Sequence, residues 1–212
     1  MMGDLYKTEQ ESFWAGEFGD SYVSRNSDPN NIPCRVTYFA KILARTRGVR
    51  QVLEIGANIG HNFLAIKHLL PECMFTGIEI NDHAIKMLHQ IPNVKVHEGS
   101  ILDYSPTDLA LHDLTLSSGV LIHINPEFLS EAYRRLYECS RNYICLIEYY
   151  NPTPVEVVYR GHSERLFKRD FAGEMLDSYS DLELVDYGFL YHRDYNFPSD
   201  DATWFLLKKG NR

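Results

Sequence analysis

The sequence has no long uninterrupted hydrophobic run, and its longest uncharged apolar stretches are only a few residues. A helix that spans a bilayer needs about 20 apolar residues, so we predict no membrane partner. The first ten residues, MMGDLYKTEQ, are charged early and have no apolar core of a secretory signal. These features predict a cytoplasmic protein.

Cysteine is also scarce, with four residues at positions 34, 73, 139 and 145. No pair has the C-x-x-C spacing, and no Cys/His group has the spacing of a zinc site, so no metal centre is predicted. Three of the cysteines lie in apolar stretches. Buried free thiols in a reducing compartment are therefore expected.

Positive charge is in deficit, because 21 Lys and Arg face 29 Asp and Glu for a net charge of −8. A polyphosphate would be repelled on average, so we predict no DNA partner. The 212 residues are 44% hydrophobic and 24% charged, without repeats or linkers. This composition predicts one globular domain over 1–212.

The order of predicted elements indicates the fold class. Thr8 and Glu11 have the spacing of a capping box, which predicts a short helix ending near Gly16. A second helix is expected from Asp20 and a longer one from Pro33, whose predicted buried stripe is Val36, Phe39, Ala40, Leu43 and Ala44. Short apolar strands then alternate with helices from 52 to 147, and two longer strands are predicted at 182–191 and 202–208. Alternation of this kind is typical of an α/β fold with a mostly parallel sheet.

A glycine turn follows the first predicted strand, with Gly56 and Gly60 leading into a helix. Such a turn lets a ligand approach the main chain at a helix N-terminus. The dinucleotide fingerprint would need glycines where Asn58 and His61 stand, which counts against NAD. Glu79 ends the next strand and can accept hydrogen bonds from both ribose hydroxyls. The stretch after the third strand, Gly99-Ser100-Ile101, is the expected place for adenine contacts.

Over about residues 33–208 the chain resembles class I S-adenosylmethionine-dependent methyltransferases. The likeness rests on the glycine turn with Glu54, on Glu79, on the 99–101 stretch and on residues 113–124. It implies a Rossmann-like seven-stranded sheet in the order 3-2-1-4-5-7-6, with the last strand antiparallel and helices on both faces. It also implies S-adenosylmethionine as cofactor and S-adenosylhomocysteine as product. The sequence departs from the family pattern at Asn58, usually glycine, and at Ser100, usually aspartate.

The resemblance assigns two sets of residues to the cofactor. The core set is Glu54, Gly56, Ala57, Asn58, Gly60, Glu79, Ile80, Gly99, Ser100, Ile101, Ser117 and Gly119. We further predict that residues 1–30 form a helical lid, with cofactor contacts from Trp14, Tyr22, Arg25 and Asn26. The alternative is that Trp14 and its aromatic neighbours simply pack on the helices of the sheet.

A narrower likeness is to the methylases associated with pseudaminic acid biosynthesis. Residues 13–20, Arg25-Asn26, 153–156 and 159–171 are similar to that group. The group implies a surface-sugar or related small-molecule pathway.

Methyl transfer needs alignment of the acceptor with the methyl, exclusion of water and, for a hydroxyl or ammonium, removal of a proton. The candidate catalytic residues are His123, Glu148, Tyr149 and Tyr150. An acceptor-side loop over 149–169 offers further groups, and the candidate substrate-binding residues are Tyr159, Arg160, His162 and His192, with Arg165, Lys168 and Asp194 nearby. For each candidate a packing or solvated role is the alternative.

The leading interpretation is methyl transfer to a small polar acceptor, such as a sugar nucleotide or an amine- or acid-bearing metabolite. An RNA- or protein-modifying methyltransferase is a second interpretation, and a non-catalytic cofactor-binding partner subunit a third. The sequence leaves open the acceptor, the atom that is methylated and the oligomeric state.

Overall fold

A computed structural model describes residues 6–210 of the chain. Two helices come first, α1 (Glu9–Ala15) and α2 (Glu17–Asn26). The predicted capping box is present, since Thr8 Oγ1 accepts from the Glu11 N–H at 3.1 Å and the Glu11 carboxylate from the Thr8 N–H at 2.9 Å. Helix α2 starts at Glu17 and not at Asp20, because Gly16 ends α1 and also serves as the N-cap of α2.

Helix α3 (Asn31–Leu43) begins two residues before Pro33. Its buried face consists of Tyr38, Phe39 and Ile42, whereas Ala40 and Ala44 of the predicted stripe are exposed. Alanine fits either face of a helix, so the large side chains determined which face packs against the sheet.

The predicted seven-stranded sheet is confirmed. Its strands in spatial order are β3 (Val94–Glu98), β2 (Met74–Glu79), β1 (Gln51–Ile55), β4 (His112–Ser118), β5 (Ser140–Glu148), β9 (Thr203–Lys209) and β8 (Leu182–Phe189). The first five strands are parallel to one another, and β9 is antiparallel to both β5 and β8. The carboxyl ends of β1 to β5 therefore meet at one edge.

Four helices connect or flank the strands: α4 (His61–Leu69), α5 (Asp82–Leu88), α6 (Leu129–Glu138) and α7 (Phe171–Ser178). Asp170 caps α7 as predicted, and a 3-10 turn over Pro126–Phe128 precedes α6. The expected irregular stretch 149–169 contains a second, two-stranded sheet of β6 (Val155–Glu156) and β7 (Phe167–Lys168). Hydrogen bonds from the Val157 N–H to Leu166 and from the Tyr159 N–H to His162 extend this hairpin arm.

Apolar side chains cover both faces of the sheet and form two large core clusters. A third, small cluster joins the N-terminal helices to this core, because Val23 of α2 packs with Ile59 and with Ala84 of α5. Helices α1 and α2, the described part of the predicted lid, therefore lie at the edge of the sheet where the parallel strands end. Within residues 6–210, no helix is long and apolar enough to cross a membrane.

Candidate functional site

The glycine turn after β1 opens a cavity at the carboxyl edge of the sheet. Gly56, Asn58 and Gly60 have φ angles of 60°, 47° and 78°, all in the left-handed region. Asparagine tolerates that region better than most side chains, which explains how it replaces the usual middle glycine. A Cβ at Gly56 would lie 2.4 Å from Cγ2 of Val120, so that position has no room for a side chain.

Glu79, at the end of β2, lines the cavity and is 7% exposed. Its carboxylate accepts hydrogen bonds from the N–H groups of Asn58 at 2.7 Å and of Ile80 and Asn81 at 2.9 Å each. Burial nevertheless raises the pKa of the Glu79 carboxyl, and the three donors oppose that rise. The residue thus joins the second strand to the glycine turn of the first.

Glu54, in β1, also lines the cavity and is 1% exposed. One carboxylate oxygen accepts from Asn62 Nδ2 at 2.5 Å, whereas Oε2 is buried and has no hydrogen-bond partner among residues 6–210. Burial raises the pKa of Glu54 to about 8. An unpaired buried carboxylate oxygen is costly, so this oxygen is available to a hydrogen-bond donor on a ligand.

Arg35 and Asn62 were missed by the sequence analysis. Both line the cavity beside Glu54, and Arg35 Nε donates to Asn62 Oδ1 at 3.1 Å. Asn62 could have been inferred, because it stands in the first turn of the helix after the glycine turn. Arg35 lies on α3, before the sheet begins, and no sequence spacing connects it to the glycine turn.

The predicted adenine stretch lies where expected, since Gly99, Ser100 and Ile101 all line the cavity. Ser100 Oγ accepts from the Leu102 N–H at 3.1 Å, and the Ser100 N–H donates to Asp103 at 3.2 Å. These contacts stabilise the loop internally. They leave position 100 without the carboxylate that the family pattern has there.

The N-terminal helices cover the cavity, and Trp14, Tyr22 and Asn26 line it, so that their contact with a cofactor stays a prediction. Asn81 Nδ2 fixes both helices to the sheet, because it donates to the Trp14 carbonyl of α1 at 3.3 Å and to the Asp20 carboxylate of α2 at 2.9 Å. Arg25 does not line the cavity, in contrast to the prediction. It is exposed, and its guanidinium lies over the Phe18 ring, 5.5 Å from the ring centroid. Arg35, and not Arg25, is the arginine that lines the cavity.

His123 also lines the cavity, in the 3-10 turn Leu121–His123 after β4. Its Nδ1–H donates to the Arg165 carbonyl, which leaves Nε2 as an unprotonated acceptor. Burial lowers the pKa of His123 to about 4. The centroid of the His123 ring is 4.5 Å from that of Trp14 and 5.2 Å from that of Tyr159. The neutral imidazole therefore packs among aromatic rings.

The structure removes Glu148 and Ser117 from the cavity wall. Glu148 is 3% exposed, and its carboxylate accepts from Ser117 Oγ at 2.6 Å and from the N–H groups of Val120, Leu121 and Ile122. It therefore orders the turn that presents His123, and its oxygens are occupied by these donors. Ser118 and Gly119 line the cavity where Ser117 was expected.

The two tyrosines after β5 lie outside the cavity wall. Tyr149 is half-buried with Lys168 Nζ 5.1 Å from its ring centroid, and burial raises the pKa of its hydroxyl. Tyr150 is 42% exposed and packs against Phe205. Neither position supports the contact with a reacting group that the sequence predicted for them.

The predicted acceptor residues lie on the hairpin arm and the last turn, beyond the cavity lining. Tyr159 comes nearest, through its contact with His123, and His162 packs on Phe13 at 5.0 Å. Arg160 is exposed, 6.0 Å over the Tyr159 ring. His192 pairs with Asp201 at 2.8 Å on the surface. A role of these residues in acceptor binding thus stays a prediction.

No protein-family model and no curated protein matches this sequence. Solved structures match it at low identity over nearly the whole chain. The plantazolicin methyltransferase BpumL in complex with S-adenosylhomocysteine is 13% identical, with 95% of this chain and 94% of that chain covered and a TM-score of 0.67. The Burkholderia thailandensis 1,6-didemethyltoxoflavin-N1-methyltransferase, with its namesake compound and S-adenosylhomocysteine bound, is 13% identical over 95% and 87% of the chains, with a TM-score of 0.70.

A third structure, a DhpI complex with S-adenosylhomocysteine, is 16% identical over 96% of both chains, with a TM-score of 0.61. At such identities the likeness concerns the fold. The chain has the Rossmann-like fold of these methyltransferases, with its cavity at the carboxyl ends of the parallel strands.

Proposed function

We propose that the protein transfers a methyl group from S-adenosylmethionine to a small polar acceptor. The main support is the cavity wall, in which two buried carboxylates, Glu54 and Glu79, lie in the last two residues of adjacent parallel strands, beside a left-handed glycine turn. The unpartnered Oε2 of Glu54 fits an ammonium group. Glu79 fits a ribose with free hydroxyls, and the Arg35 guanidinium fits a carboxylate.

The parts of the cofactor would then lie along the sheet from β3 to β1, each held by residues at the end of one strand. Residues 99–101 would contact the adenine and Glu79 the ribose. Glu54, Asn62 and Arg35 would bind the amino and carboxylate groups of the methionine part. The cofactor supplies an electrophilic methyl on a positively charged sulfur. Trp14 and Tyr22 would cover it from above and exclude water, which strengthens alignment and electrostatics in the site.

His123 is the group best placed to receive a proton from the acceptor. The hydrogen bond to the Arg165 carbonyl fixes the tautomer, with the lone pair on Nε2. With a pKa near 4 this imidazole is too weak to deprotonate an ordinary ammonium ion. It suits a hydroxyl, because the oxygen becomes a strongly acidic oxonium as the new bond to carbon forms, whereas a methylated amine would be an ordinary ammonium ion. Nε2 would take the acceptor's proton, while the cofactor sulfur would keep the electron pair of the broken carbon–sulfur bond, so that the positive charge would end on the imidazole.

The acceptor class follows from size and charge. Tyr159 and His162 of the hairpin arm pack on the aromatic rings of the lid, and the chain is acidic overall, which disfavours a long RNA. The toxoflavin methyltransferase with a similar fold binds a small molecule. A sugar nucleotide or an amine- or acid-bearing metabolite fits best. The likeness to methylases associated with pseudaminic acid biosynthesis favours a sugar, and a cytoplasmic location suits such a pathway.

Turnover on a panel of small acceptors tests this proposal, with release of S-adenosylhomocysteine as readout. Release that depends on one small acceptor supports it. Release with RNA or protein alone would favour the second interpretation. Tight cofactor binding without turnover on any acceptor would favour a non-catalytic partner subunit.

A first prediction concerns pH. Because Glu54 is mostly protonated below a pKa of about 8, binding of a ligand ammonium must release its proton. Affinity for S-adenosylhomocysteine is therefore expected to rise with pH between 6 and 8, by up to about tenfold per pH unit. Calorimetry in buffers of different ionisation enthalpy measures the released proton. The E54Q variant should bind more weakly and without this pH dependence. A wild-type affinity that is constant across this range would contradict the assignment.

A second prediction concerns the lid. Removal of residues 1–30 is expected to abolish detectable binding of S-adenosylhomocysteine, because it deletes Trp14, Tyr22 and Asn26 from the cavity wall. Circular dichroism and a melting curve establish whether the remaining sheet is folded. Undiminished binding by a folded truncated protein would rule out the lid.

A further inference from the structure

One feature of the lid is left unexplained by the capping box that the sequence predicts. Glu11 Oε2 accepts from the Thr8 N–H at 2.9 Å, as a capping box requires. Glu11 Oε1 is buried and has no hydrogen-bond partner among residues 6–210, and Glu11 lines the cavity. A buried carboxylate oxygen in a ligand cavity indicates a donor on the ligand, since leaving it unpaired is costly.

The start of the lid is fastened to the loop after β3. Lys7 Nζ donates to the Leu102 carbonyl at 2.5 Å and pairs with Asp103 at 3.3 Å. Thr8 and Glu11 line the same cavity as Ser100 and Leu102. The first turn of α1 therefore lies beside the predicted adenine loop. That loop follows β3, which is three positions away in the sheet from β4 and its His123 turn.

The same loop lacks an acidic side chain of its own at position 100. Ser100 Oγ is used by the Leu102 N–H, and the Ser100 N–H is used by Asp103. Asp103, an acidic side chain of this loop, lies outside the cavity lining, so the free oxygen of Glu11 is an acceptor that the loop does not supply to the cavity. The exocyclic amino group of adenine is a donor of matching type.

We propose that Glu11 accepts a hydrogen bond from the adenine amino group, so that the lid reads the base of the cofactor. This inference rests on the proposed function. Recognition of the base would then depend on the folding of α1, because the capping box fixes the Glu11 carboxylate only when this helix is formed.

The E11Q variant tests this with two ligands, S-adenosylhomocysteine and S-inosylhomocysteine, in calorimetry. A glutamine at this position still completes the capping box through its oxygen. Its NH2 group then faces the base, where it opposes an amino group and matches a 6-oxo group. The wild type should prefer the adenosyl ligand by about tenfold or more, and E11Q should lose or reverse that preference.

The matched control is E17Q, the same change at an exposed position on the lid outside the cavity wall. It should keep the wild-type preference, and melting curves should show all three proteins folded. If the wild type binds both ligands equally, or E11Q keeps the wild-type preference, the inference is overturned while the proposed function stands. If the wild type binds neither ligand, the proposed function itself fails.

Discussion

Replacing Glu79 by alanine is expected to lower the affinity for S-adenosylhomocysteine by about a hundredfold or more. The variant removes the proposed acceptor of a ribose hydroxyl hydrogen bond, since three of the roughly four acceptor sites of the carboxylate are already used, and a hydrogen bond to a charged group contributes about 1.5–3 kcal/mol. It also frees three N–H groups that the carboxylate now orders, at Asn58, Ile80 and Asn81. The loss thus combines a missing ligand contact with a loosened glycine turn. Titration calorimetry measures it.

E98A is the matched control. Glu98 ends β3 in register with Glu79, but its side chain is exposed and, among residues 6–210, pairs with His89 alone, at 3.2 Å. Removing that surface pair should leave the affinity within about twofold, because exposed ion pairs contribute little. The E79Q variant keeps the size of the side chain and should show an intermediate loss. Equal affinities of E79A and E98A would contradict the role of Glu79.

The second large effect is expected at His123. The H123N variant keeps a donor toward the Arg165 carbonyl and removes the Nε2 acceptor. Turnover should fall by about 10²–10⁴-fold, the usual contribution of a positioned proton acceptor. Affinity for S-adenosylhomocysteine should change little, since the assigned cofactor contacts lie elsewhere. Steady-state kinetics with the acceptor found in the panel measures the first quantity, and calorimetry the second.

The pH profile gives an independent check on His123. Because its pKa is lowered to about 4, the neutral imidazole prevails above that pH, and its protonation should reduce turnover only as pH falls through about 4. A fall centred near 6.5 would indicate an ordinary, exposed histidine. The control is H83N, at an exposed histidine on α5, which should retain wild-type turnover. An unchanged rate in H123N would remove this residue from the mechanism.

The residues that could be predicted are those that a local sequence pattern marks. The glycine turn, Glu79 at the end of β2 and the 99–101 loop lie along one strand–turn–helix rhythm, so periodicity and turn chemistry located them. The capping box at Thr8 and Glu11 was found for the same reason. The strand order was inferred through the family resemblance and agrees with the structure.

What could not be predicted depends on contacts between distant segments. Arg35 reaches the cavity from α3, and its partner Asn62 is 27 residues further along the chain. Glu148 looked catalytic because it ends a strand at the correct edge of the sheet. Only the folded chain shows that Ser117 and three backbone N–H groups occupy it. Likewise Arg25 lies on the outer side of its short helix, where only the packing of α2 could place it.

The most direct measurement is a calorimetric titration of the wild-type protein with S-adenosylhomocysteine, with NAD as comparison ligand. Asn58 and His61 replace glycines that a pyrophosphate needs, so NAD should not bind. Saturable one-to-one binding of S-adenosylhomocysteine is expected. A folded wild-type protein that gives no heat with it and no protection against thermal unfolding would contradict the central claim.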